Sequence, residues 1–302
     1  MTAASPTARD AGPTLAQRLR IRGLDGVTLL VVPCVILAFA LFVYPFFYGL
    51  WLSFQPKNGG AALTNYQRFF TEPFLSKTIW TTLRLALPVT LLNLFLAVPI
   101  AFRVRLMKRQ RLLTTILVLP ITLGTVLIAE GMLFYFGPQG WLTRTLMWLG
   151  VISHPLHVVH TYWGVFLSLV IAIFPFTFLL TLSYVTGIDP SLEQAAATLG
   201  AAPAARFREI FLPLLLPGLA ITFCLSFVQA FSVLPSAVLV GDPANTTRVI
   251  SIAAYQAAFE EYDYSLASAI AMIMGAVQLV VVVVVLGGRT LLYRGPVAAA
   301  KG

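Results

Sequence analysis

The side chains that invite a chemical reading in this chain are few, and most of them sit inside apolar runs. Glu130 lies in Leu127-Ile-Ala-Glu130-Gly-Met132. An ionisable group held in hydrocarbon is costly enough to be a functional hypothesis by default. Glu130 either draws a cationic solute along a path or pairs with Arg84, which falls at similar depth in another apolar run; the residues leave both readings open. Asn93, Ser226 and Gln229 are polar groups in comparable surroundings. The stretch Ser226-Phe-Val-Gln229-Ala-Phe-Ser232 surrounds the amide with hydroxyls and aromatics. That suits a surface facing a polar solute, although hydrogen bonding between packed helices uses the same groups. His154, His157 and His160 are spaced three apart, but Pro155 interrupts the helix that would align them and no cysteine or acid is near. No metal site is expected there. Further on, Asp242, Glu260, Glu261 and Asp263 alternate with Tyr255, Phe259, Tyr262 and Tyr264. Acids among aromatics suit a cationic solute or a basic docking surface, and they equally describe an interfacial aromatic belt with solvated acids.

These groups must be positioned by membrane-spanning helices. The chain is 59% hydrophobic and only 10% charged, with a mean hydropathy of +0.88. A soluble domain is about 25% charged, so lipid must solvate much of this surface. A bilayer core about 30 Å thick needs roughly 20 apolar residues of helix. Six runs qualify, at about 27–54, 80–102, 113–137, 161–185, 214–240 and 266–288. The fold class is therefore an all-α membrane protein of six transmembrane helices. Residues 1–26 read as a disordered tail, 27–288 as the membrane domain and 289–302 as a C-terminal tail. Gly140 to Leu149 reads as an amphipathic piece in the interface. Pro175 and Pro235 are candidate kinks in the fourth and fifth spans. Cys34 and Cys224 lie inside apolar runs, so no disulfide framework is expected.

Basic residues set the orientation. Of 20 Lys and Arg, 14 fall on one side: the N-terminal tail, the loop Arg103–Arg111, the loop holding Arg206 and Arg208, and the C-terminus. Both termini and these loops are expected to be cytoplasmic. The net charge of +9 is then a topology signal, and no nucleic-acid partner is expected.

The loop at 186–218, between spans four and five, carries the densest local signals. Asp189 is a good N-cap and Pro190 a good first helical residue. Gly200 is a good terminator and Pro203 a good second start. The spacing predicts a helix of about ten residues, about 15 Å long, then a turn and a second short helix ending at Pro213. Ala195 and Ala196 give the first helix a small-residue face that another surface could approach closely.

This loop resembles the EAA loop of type I ABC importer permeases. Gln194-Ala195-Ala196, then three residues to Gly200, then nine to Ile210-Phe211-Leu212-Pro213, reproduce the family spacing. Gln194 stands where the family usually has Glu, with Glu193 beside it. The resemblance implies the type I permease fold, with both termini cytoplasmic, in a bacterial cytoplasmic (inner) membrane. It implies an ATPase-coupling role for Glu193, Gln194, Ala195, Ala196, Gly200, Ile210, Leu212 and Pro213. It also implies two ABC ATPase subunits, a second and different permease subunit, an extracytoplasmic solute-binding protein, and surrounding lipid. No GxxxxGK[ST] phosphate loop occurs, so ATP and Mg are expected to act on the partner ATPase, with no cofactor and no catalytic site on this chain. Within the family, Asp189-Pro-Ser-Leu-Glu193 and Phe227-Val-Gln-Ala-Phe231 are most similar to the spermidine/putrescine branch. The expected cargo is a small cationic or polar organic solute such as a polyamine, with sugar, iron, opine or phosphonate cargo as alternatives. A secondary transporter is a further alternative, which leaves the inner-face helix unexplained.

Overall fold

The computed structural model describes residues 26–292 except 58 and 156. The expected N-terminal tail, but for its last residue Gly26, and most of the expected C-terminal tail lie outside the described residues. The chain separates into two units, Met1–Leu52 and Ser53–Gly302. In the first, α1 (Gly26–Ala38) runs through a π-turn (Phe39–Val43) into α2 (Tyr44–Ser53), which continues to the start of the second unit. Its apolar side chains, among them Leu30, Phe39, Phe42 and Tyr44, are exposed, as a lipid-solvated span requires.

The second unit contains α3 (Thr64–Thr71), α4 (Pro73–Val104), α5 (Gln110–Phe136), α6 (Trp141–Trp148) and α7 (Tyr162–Thr186). After these come α8 (Pro190–Thr198), α9 (Pro203–Arg206), a π-turn (Phe207–Phe211), α10 (Leu212–Phe231), α11 (Pro235–Leu239), α12 (Ile250–Phe259) and α13 (Tyr264–Leu292). Six helical stretches of the chain are long and apolar enough to cross a membrane, and no strand occurs among the described residues. The expected interfacial piece is α6, with Trp141 and Trp148 exposed at its ends.

Prolines account for most departures from the expected boundaries. The second short helix does not end at Pro213. Instead, α9 passes through the π-turn directly into α10, and the Leu212 N–H reaches back five residues to the Phe207 carbonyl. The same arrangement precedes Pro45, where the Tyr44 N–H bonds the Phe39 carbonyl. A proline ring clashes with the carbonyl four residues earlier, and a wide turn just before it moves that carbonyl aside. Pro235 does not kink a continuous fifth span. The helix stops at Phe231, and Pro235 opens the separate α11. In the fourth span α7 continues through Pro175. The sharp break in α5 falls at Gly124, with φ 69° and ψ 166°, a region open to glycine alone at little strain.

Helices α4, α7 and α10 pack together as the centre of the second unit. Their core divides along the bundle. Leu85, Val89, Leu169, Phe227 and Phe231 belong to an apolar cluster at one end, and Ala97, Ala101, Phe178, Leu182 and Leu215 to another nearer the 186–218 loop. Between these clusters in sequence lie Thr90, Asn93, Thr177, Thr222 and Ser226, all fully buried. Thr90 donates to the Ala86 carbonyl at 2.7 Å, and Thr177 and Ser226 share a hydroxyl bond of 2.8 Å. Both amide atoms of Asn93 and the hydroxyl of Thr222 lack a hydrogen-bond partner. Helices α7 and α10 also approach closely: a Cβ added at Gly218 would lie 2.4 Å from the Tyr184 ring.

Candidate functional site

The first site is α8 and the helix ends beneath it. Asp189 caps the helix, its Oδ1 accepting the Ser191 N–H at 2.8 Å. That backbone hydrogen bond holds the Asp189 carboxyl below its ordinary pKa, because the charged form is the better acceptor. At the other end Gly200 takes φ +83°. The Gly200 N–H bonds the Ala197 carbonyl and the Ala201 N–H bonds the Ala196 carbonyl, both at 3.0 Å. This is a complete Schellman stop, and it turns the chain sharply into α9. The spacing of Asp189, Pro190, Gly200 and Pro203 therefore produces the helix and turn it predicts.

Leu192, Ala195 and Leu199, spaced along one face of α8, are exposed, Leu199 to 87%. Gln194 is exposed, and its side chain makes no hydrogen bond among the described residues. Glu193, beside it, is half-buried and engaged. Its Oε2 accepts from Arg105 at 2.6 Å, and Arg206 lies 4.0 Å from its other oxygen. The Arg105 side chain is only 7% exposed. Its guanidinium lies 4.5 Å from the Phe102 ring centroid and 4.2 Å from that of Phe211, and these rings meet edge to face at 4.9 Å. A planar cation between aromatic faces has little freedom to turn. Glu193, Gln194, Arg105 and Arg206 line a cleft of about 400 Å³ between α8 and the span ends. Ile210, Leu212 and Pro213 are half-buried in the π-turn and the start of α10, away from the exposed face of α8. Sequence reasoning missed Arg105 as a partner, treating it only as a topology charge; 88 residues separate it from Glu193, and no local spacing signals such a contact.

The second region is a cavity of about 410 Å³ between α5, α7 and α10. Thr125, Phe176, Gln229 and Ser232 are among its lining side chains, together with the Gly124 break. Ser232 is held by Gln278, whose amide donates to its hydroxyl at 2.7 Å. Of the path candidates, Gln229 faces this cavity. Ser226 and Asn93 do not; they are fully buried among packed helices, where interhelical bonding claims Ser226. Glu130 is half-buried outside the lining and has no ion pair among the described residues. The pair with Arg84 is absent: Arg84 lies over Trp80 at 5.0 Å, and its carbonyl accepts from the Tyr162 hydroxyl at 2.7 Å.

At the opposite end from α8, the acids of the last loop are engaged. Arg68 bonds Glu72 at 2.9 Å and lies 3.8 Å from Glu261 and 3.7 Å from Asp263. Asp263 also caps α13, accepting the Leu266 N–H at 3.0 Å. Arg248 sits 3.7 Å over Phe74. Burial there pulls its pKa down, against the opposing pull of Glu260 and Glu261. His160 ties its loop to α11, donating its backbone N–H to the Val240 carbonyl at 2.7 Å.

A family model described as binding-protein-dependent transport system inner membrane component matches residues 93–294. The chain belongs to that family. The spermidine/putrescine transport system permease protein PotB of Haemophilus influenzae is 29% identical over 181 residues, 59% of this chain and 63% of that one. PotB of Escherichia coli is 30% identical over 185 residues, 61% and 67% of the two chains. These alignments therefore span about two thirds of those relatives. The sn-glycerol-3-phosphate permease UgpA of Pectobacterium atrosepticum is 25% identical over 82% of this chain and 88% of its own. A chain of a bacterial alginate ABC transporter, solved with an alginate-bound periplasmic protein, superposes with TM-score 0.78 at 20% identity, over 94% of this chain and 99% of that one. A chain of the MetNI methionine transporter gives 0.58 at 14% identity, over 73% and 97%. The type I permease fold of a multi-pass membrane protein is thus the fold of this family member.

Proposed function

We propose that this chain is one of two permease subunits in an ATP-driven importer of the bacterial inner membrane, and that α8 is the helix docking into the ATPase. The observation carrying this reading is the exposed face of α8. A nine-residue helix capped at both ends and buried at no position presents Leu192, Ala195 and Leu199 outward, which suits insertion into a partner's groove. Gln194 is free to meet that partner. In this reading the α8 end and both termini are cytoplasmic, and ATP with Mg is consumed on the partner subunits. A second, different permease chain completes the path, and a binding protein delivers solute at the far end. Closure of the ATPase pair biases the permease between inward- and outward-facing states through the docked helix.

The proposed cargo is a small polar or cationic solute of the polyamine class, supported by the likeness to PotB chains. The lining of the cavity includes hydroxyls, an amide and an aromatic ring but no ionisable side chain, so selection by charge rests with the binding protein. Tagged chain should co-purify with an ATPase, and the reconstituted complex with its binding protein should accumulate radiolabelled spermidine or putrescine when ATP is enclosed. Uptake of neither amine alongside uptake of a sugar would overturn the cargo; absence of any ATPase would overturn the docking reading.

A further inference from the structure

Resting on that docking reading, we infer that Arg105 is a positioning residue that ties the docking helix to a third span, and that Glu193 serves this internal tie while Gln194 is left for the partner. Helix α8 is connected through the backbone to only two spans: α7 through Gly187–Asp189, and α10 through the Gly200 turn and the π-turn. Arg105 adds a third connection. It is the C-cap of α4, the helix that packs against both α7 and α10. The tie has the properties a transmitting strut needs. It is a charge-assisted bond of 2.6 Å with its cationic side chain 7% exposed, so solvent and salt screen it weakly. Phe102, from α4 itself, and Phe211, from the π-turn entering α10, stack on the guanidinium. One side chain therefore touches the docking helix, α4 and the root of α10 together. Displacement of α8 must move the end of α4 or strip the nearly buried Arg105 guanidinium of its half-buried carboxylate partner, which is unfavourable. The neighbouring Arg206, 4.0 Å from the same carboxylate, is the weaker contact and belongs to the segment already connected by the backbone.

The test reads conformation directly and needs no knowledge of the cargo. In a background lacking Cys34 and Cys224, Thr125→Cys in the cavity reports accessibility to a membrane-impermeant maleimide. The complex is co-purified with its ATPase, and labelling is compared without nucleotide and with ATP plus orthovanadate. A typical coupling separates the two rates by about 5- to 150-fold. Arg105→Ala and Glu193→Gln are each expected to collapse that ratio to within about twofold, with the double variant no worse than either, since both remove one interaction. Glu193→Gln keeps the side-chain shape and guards against loss of folding in Arg105→Ala. Full retention of the ratio in Glu193→Gln, or additive losses in the double variant, would overturn the tie. Gly200→Val separates the two ideas. If it abolishes the ratio while Glu193→Gln does not, docking stands and the tie falls. If no variant and no nucleotide changes labelling, both fall.

Discussion

At the scale of single residues, the candidate site divides into what local chemistry announces and what only folding assembles. Asp189, Pro190, Gly200 and Pro203 were legible because caps and turns are set by a residue's own backbone preferences. The role of Glu193 was not, because it depends on Arg105 from another loop, and neither was the separation of Ser226 from Gln229, three residues apart on the same helix. Two predictions belong here. Gly200→Val must adopt a left-handed conformation that costs an L-residue about 1–2 kcal/mol or more, so the turn should shift. ATP-driven uptake is expected to fall while insertion in the membrane persists; unchanged uptake would refute the role of the turn. Asp189 gives a pH prediction. Its folded pKa is depressed, so its capping contribution is complete above the unfolded value of about 3.9 and is lost as pH falls through the folded one. Hydrogen exchange of the 187–200 segment, corrected for intrinsic rates, should be unchanged from neutral pH down to mildly acidic pH. Asp189→Ala should raise that exchange throughout this range, and Asp189→Asn should not.

At the scale of elements, six apolar runs were enough to count the spans, since lipid leaves the backbone no choice but helix. Boundaries slipped where proline and glycine act through geometry that composition does not encode. Pro213 and Pro45 are absorbed by π-turns, Pro235 begins a helix, and Gly124 breaks one. The packing of α4, α7 and α10 yields two predictions about stability. Gly218→Leu would force a side chain into the Tyr184 ring, and overpacking of this kind costs about 1–3 kcal/mol or more. It should lower the thermal midpoint of the purified protein. Asn93 is fully buried with neither amide atom bonded. Replacing an unpaired buried polar group with an apolar one of similar size should recover about 1–3 kcal/mol. Asn93→Leu is therefore expected to raise the same midpoint, and a fall would mean the amide is satisfied in the assembled protein.

At the scale of the whole molecule, the family and fold were legible from one loop's spacing combined with the number of spans, while cargo was not. Likeness to polyamine permeases and superposition on alginate and methionine transporter chains place very different solutes on one architecture, so the fold cannot name the solute. The feature on which the proposed mechanism turns is the exposed face of α8. The most direct measurement is site-specific cross-linking from Leu192→Cys and Leu199→Cys in the intact complex, in native membranes, with a short bifunctional reagent. Both positions are predicted to link this chain to a nucleotide-hydrolysing subunit, and Thr145→Cys on α6, at the opposite end, is predicted to give no such product. If Leu192 and Leu199 link to no ATPase and are labelled only by lipid-soluble or freely diffusing probes, the proposed coupling is contradicted.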